Sequence, residues 1–201
     1  MGLTRTTDAL KGTPCKWLDL AALCRKLLPK HQIHRIRYFT AKVSPRPGNA
    51  QQHVRQDAYL RALATLPNVS VHLGEFRVRS VRMALTQPVA GGIKTVEVIK
   101  TEEKGSDVNL ATYLTLDACQ GDCSAAVVIS NDSDLREPLR VVRQELGLTT
   151  GILNPHPTYK RSRSMEATFF KQIRESALKQ CQFPERLTDA QGFMIHKPEN
   201  W

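Results

Sequence analysis

Asp132 and Asp134 stand two residues apart in Ile129-Ser130-Asn131-Asp132-Ser133-Asp134-Leu135, a segment that follows an apolar run and opens a helical pattern. Carboxylates at that spacing in a strand-to-helix turn can converge on one hard cation, because Mg2+ and Mn2+ take oxygen ligands in near-octahedral geometry. The same residues can instead close a helix start: Asp134 with Glu137 three residues later matches a capping box, and Pro138 is tolerated in a first turn. A second turn repeats the arrangement. Glu102-Glu103-Lys104-Gly105-Ser106-Asp107-Val108-Asn109 also runs from a strand pattern into a helix, with Ser106 or Asp107 as the alternative cap. If the two strands are neighbours, Asp107, Asp132 and Asp134 gather at one edge of a sheet, and like charges so held are costly without a cation among them. Asp117 lies about 15 Å along the helix from Asp107 at 1.5 Å per residue and cannot share its ion. Asp122 precedes the apolar run, at the opposite sheet edge, and reads as a turn residue.

The elements that position these groups follow from hydrophobic period. Trp17, Leu20, Ala21, Cys24, Leu27 and Leu28 recur at helical intervals up to Pro29. Residues 33–43 alternate as a strand, 51–66 carry Val54, Ala58, Ala62 and Leu66 on one helical face, and 69–73 alternate again. Residues 77–93, with Pro88 and Gly91-Gly92, read as an extended excursion or hairpin, and 95–101 as a strand. A helix is expected over 107–119. Ser124–Ser130 is continuously apolar at its centre, as in a parallel strand covered on both faces. Helices at 135–146 and 166–180, with a strand at 149–153 between them, complete the pattern. The alternation predicts an α/β fold, a three-layer sandwich on a mostly parallel sheet, with ligands at the carboxyl ends of its strands. Residues 1–15 read as an irregular N-terminus, 16–180 as one domain and 181–201 as a tail packing on it.

Composition narrows the partners. The net charge of +10 suits an acidic polymer, and a nucleic acid fits better than a membrane because no basic amphipathic anchor stands out. No apolar run approaches the length of a membrane span, so a cytoplasmic location is expected. Five dispersed cysteines argue against a disulfide framework.

Together these motifs resemble the NYN branch of the PIN-like ribonucleases. The resemblance rests on EEKGSDVNLATYLTLDA, the intervening strand and SNDSDL, supported by KGTPCKWLDLAALC near the start and by SMEATFFKQIRESALKQCQFP and KPENW near the end. It covers nearly the whole chain from Lys11 and implies a PIN-like, Rossmann-like fold and a ribonuclease using Mg2+ or Mn2+. On it, Asp132 is the principal ligand, Asp107 a ligand or anchor, and Asp134 binds the ion directly or through water. Ser130 and Ser133 orient the carboxylates or a phosphate, and Asn131 stands where the family often has Gly. The family's amino-terminal strand and its D-G-x-N motif have no match in MGLTRTTDALKG, where the expected Asp falls near Met1 and Asp8 sits too close to the helix. A missing central strand, a missing first carboxylate and weak cleavage are therefore expected. The alternatives are a non-catalytic RNA-binding module, contacting phosphates through Lys104, Lys160, Arg161 and Arg163, and an inactive truncated homologue. RNA and a second copy of the chain are the expected partners.

Overall fold

The computed structural model describes residues 2–3, 13–45, 49–87, 91–156 and 165–199. Seven strands form one sheet: β1 (Gly2–Leu3), β2 (Ile36–Ala41), β3 (Val69–Ala84), β4 (Thr95–Lys104), β5 (Ala125–Ile129), β6 (Thr149–Asn154) and β7 (Phe169–Gln172), in the order β4-β3-β2-β1-β5-β6-β7. All neighbours are parallel except β3 and β4. The helices are α1 (Leu20–Leu27), α2 (Gln52–Ala64), α3 (Ser106–Cys119), α4 (Arg136–Arg140) and α5 (Glu175–Gln180). A small antiparallel pair, β8 (Arg186–Thr188) and β9 (Met194–His196), closes the C-terminal region.

The strands sort their side chains to two cores. Ile36, Tyr38, Val127, Ile129 and Leu153 face one cluster with Trp17, Leu23 and Leu63. Phe39, Ala126, Val128 and Ile152 face the other, with Leu110, Leu114 and Leu139. This period-two division, burying both faces, is why the β5 segment reads as an unbroken apolar run. The expected α/β class holds.

Three expectations change. The central place between β2 and β5 is not vacant: Gly2 and Leu3 pair with Arg37 and Tyr38 on one side and Val128 and Ile129 on the other. The helix expected over 166–180 is divided, because Phe169–Gln172 extends alongside β6 and only Glu175–Gln180 is helical. Phe169 and Phe170 favour a pleated surface, and Phe169 lies over Gly151, where a Cβ would meet its ring at 2.2 Å. Finally, β3 does not stop at Leu73. It runs on after Gly74 into a ten-pair antiparallel hairpin with β4.

The C-terminal segment is bound to the first core. The Trp17 indole donates to the Pro184 carbonyl at 2.8 Å, and its ring packs edge-on to Phe183. Tyr59, also against Trp17, donates to the Leu18 carbonyl at 2.9 Å.

Candidate functional site

At the carboxyl edge of the sheet, the turn after β5 is organised by its own side chains. Ser130 Oγ accepts from the Asp132 N–H at 3.1 Å, and Asp132 Oδ1 accepts from the Asp134 N–H at 3.1 Å. Asp132 therefore caps the 3-10 turn Ser133–Leu135 that leads into α4. Leu135 is buried and pins this turn to the second core, whereas Ser133 and Asp134 are exposed and Asn131 is half-buried. The capping-box alternative takes a different form, with Asp132 rather than Asp134 as the cap.

The second turn depends on a close backbone approach. A Cβ on Gly74 would lie 2.5 Å from the Lys104 carbonyl and 2.9 Å from Ser106 Oγ, so only glycine lets the end of β4 pass so near β3. Gly105 follows at φ 91°, a left-handed conformation that glycine adopts without strain, and α3 begins at Ser106. Ser106 is buried and donates to Glu103, while Asp107 stands in the first turn of α3, where its charge favours the helix dipole. α3 packs against β1 and the Ser133–Leu135 turn, which brings the two acidic turns to the same edge. One oxygen of each acid, Oδ1 of Asp107 and Oδ2 of Asp132, is shielded from solvent.

These acids do not make the expected metal centre. Among the described residues no group of three or more His, Cys, Asp or Glu side chains could hold a metal ion, so the assignment of Asp107, Asp132 and Asp134 as joint ligands of Mg2+ or Mn2+ is corrected. Asp132 spends an oxygen on its own turn, and Asp134 points from an exposed position. Lys104, expected to contact phosphate, lies 3.3 Å from Glu102. Its neighbours Lys100 and Lys104 hold the Glu102 carboxyl down to about 2. Lys160, Arg161 and Arg163, like Met1 and Asp8, lie outside the described residues.

The opposite, amino edge carries a charged network that sequence reasoning set aside. Arg37 on β2 reaches Asp117 on α3 with two hydrogen bonds, and Arg35 Nη1 bridges Asp117 at 3.2 Å and Asp122 at 2.9 Å. The Arg37 guanidinium also sits 4.5 Å from the Tyr113 ring centroid. Behind it, His72 Nε2 lies 3.2 Å from Arg37 Nη1 and 3.1 Å from Ser70 Oγ, with its ring stacked on Phe39. Burial and then the Arg37 charge push the His72 pKa down, which suits an Nε2 that accepts a hydrogen bond. Burial pushes the Asp117 carboxyl up, but the Arg37 hydrogen bonds and the charges of Arg37 and Arg35 outweigh it and leave it lowered. A cavity of about 460 Å³ opens beside this network, bounded by Arg35, Arg37, Leu114, Asp122 and Val127. The only sequence signal was negative: a charged Asp117 among the apolar residues of the α3 face.

No family model matches the chain. Over 221 aligned residues it is 29% identical to 6-hydroxy-3-succinoylpyridine 3-monooxygenase HspA of Pseudomonas putida (strain DSM 28022 / S16), a match spanning 96% of this chain and 70% of that protein. This overturns the resemblance to the NYN branch and the activity and metal it implied. The relative is named as a monooxygenase rather than a ribonuclease, so RNA cleavage, RNA binding and the metal-dependent hydrolase reading are withdrawn. Among the described residues no helix is long and apolar enough to cross a membrane.

Proposed function

We propose that this protein is a monooxygenase acting on a small hydroxylated aromatic ring, with Asp132 at the carboxyl edge of the sheet as the group that takes up the ring hydroxyl proton. The observation that carries this reading is the similarity to HspA along almost the entire chain. That relative's substrate, by its printed name, is a pyridine with a hydroxyl at position 6 and a succinoyl chain at position 3, the carbon across the ring. Loss of the hydroxyl proton pushes electron density onto that opposite carbon and makes it more reactive toward oxygen. A carboxylate within hydrogen-bond reach is the base such a step needs. On a ring carbon that carries hydrogen, monooxygenation inserts one atom of O2 into the C–H bond, while two electrons and two protons from a reductant and solvent turn the other into water. On a carbon that carries an acyl chain, the ring–acyl bond breaks and the chain leaves as an aldehyde, which takes two further electrons and two further protons from the reductant.

Two features support the carboxyl edge over the amino edge. Ligands of open α/β sheets gather at the carboxyl ends of strands. The amino-edge charges are also committed to each other through Arg37, Arg35, Asp117 and Asp122. Asp107, in the first turn of α3, is the second acid available to this site. A cytoplasmic setting accords with the thiols, since none of the five cysteines is in a disulfide.

The test is incorporation of 18O from labelled O2. Purified protein, a reduced nicotinamide nucleotide with and without added flavin, and 6-hydroxy-3-succinoylpyridine or simpler hydroxypyridines should yield a labelled aromatic product. Asp132→Asn should lose that product while still binding the ring. If no hydroxypyridine binds, and no label enters with any donor, the reading fails.

A further inference from the structure

The β3–β4 hairpin continues past Gly74 from the pair Glu75 and Lys104 to the pair Ala84 and Thr95, and it carries exposed apolar side chains on both faces. Val78 is 62% exposed and Ile99 79% on one face, while Met83 is 47% and Val96 38% exposed on the other. A two-stranded ribbon is marginal by itself in water, and apolar residues concentrated on one mark a contact surface. Among the described residues β4 is also the last strand of the sheet, so the backbone groups on its outer side form an open edge.

We propose that β4 pairs antiparallel with β4 of a second copy of this chain, about a two-fold axis through Val98. The register follows from symmetry and charge. Directly opposed residues of an antiparallel pair share a face, so a two-fold axis normal to the sheet must pass through a residue rather than between two. An axis at Glu97 or Lys100 sets that charge against itself, and one at Ile99 opposes Lys94 to Lys104. Axes nearer either end of β4 pair fewer of its residues. At Val98 no like charges are opposed: Thr95 meets Thr101, Lys94 meets Glu102, and Val98 meets its own counterpart. Because Val81 already stands opposite Val98 within the hairpin, this register extends a row of valines across four strands. Cross-strand β-branched pairs of that kind stabilise a sheet. The contact is isologous and closed, giving a dimer rather than a fibre.

Sedimentation of the full chain at tens of micromolar should show a dimer. Val98→Lys puts like charges on the axis and should weaken association at least tenfold, with the far-UV spectrum of the folded chain unchanged and its melting midpoint no longer dependent on concentration. Val98→Cys, in a Cys119→Ser background to remove an exposed thiol, should cross-link into a disulfide dimer on mild oxidation, since opposed residues fall within disulfide reach. Ser80→Cys, one strand further in, should not. A monomeric wild type overturns the proposal, as does a dimer that Val98→Lys leaves intact or that cross-links through Ser80→Cys.

Discussion

Arg37 and Asp117, eighty residues apart in sequence, are joined by two hydrogen bonds, Nε to Oδ2 at 2.8 Å and Nη2 to Oδ1 at 2.6 Å. Their side chains are 15% and 12% exposed, so the pair ties strand β2 to helix α3 largely out of water. Arg35 and Asp122 extend the tie toward the start of β5.

Removing one partner of such a pair leaves the other's charge uncompensated. Asp117→Ala should destabilise the protein by about 3 kcal/mol in urea denaturation at neutral pH, because Arg37 loses its hydrogen-bonded acid and Arg35 keeps only Asp122. Loss of less than about 1 kcal/mol would mean that water replaces the carboxylate.

The same network sets a pH dependence. Asp117 has a lowered folded pKa, so its contribution is present above the unfolded value and is lost as pH falls through the folded one. His72 is lowered too, so the unfolded chain binds its proton first and stability also falls on acidification below the ordinary histidine range. Wild type should therefore weaken in two stages, the histidine stage first. Asp117→Asn should shrink the later stage, which Glu102 and Asp189 also feed, and His72→Gln should remove the earlier one, in denaturation midpoints measured from pH 8 to pH 3. Superimposable profiles for all three proteins would contradict these assignments.

At the carboxyl edge, Gly74→Ala should displace the start of α3, because its Cβ meets the rigid Lys104 carbonyl at 2.5 Å. A cost of about 1–3 kcal/mol is expected, read as a lower urea midpoint with an unchanged m-value.

Asp132 allows stability and chemistry to be separated. Asp132→Ala loses the cap to the Asp134 N–H and should cost about 1 kcal/mol. Asp132→Asn keeps an acceptor oxygen and should stay close to wild type in stability, while product formation falls about a hundredfold or more if Asp132 is the base. Full activity in the Asn variant would remove Asp132 from that role.

Much of the architecture was legible because it obeys local rules. The three- and four-residue spacing from Trp17 to Leu28 gave α1, and Asp19 caps it by accepting from the Ala22 N–H at 2.8 Å. The unbroken apolar run at 125–129 gave the buried strand, since a strand covered on both sides has no wet face to alternate with. The segment at 169–172 misled because its helical spacing competed with aromatic residues that fit beside Gly151, a contact made only when β6 and β7 lie together.

By itself, then, the sequence determined the α/β class, most elements and the two acidic turns, because hydrophobic period and turn chemistry act within a few residues. Only the tertiary structure decided that Asp132 caps its own turn and that Gly2–Leu3 lies at the sheet centre. It alone joined Arg37 to Asp117 and left exposed apolar side chains on both faces of the hairpin of β3 and β4. Each of these depends on which distant segments become neighbours, and pairings between residues scores of positions apart leave no periodic trace along the chain.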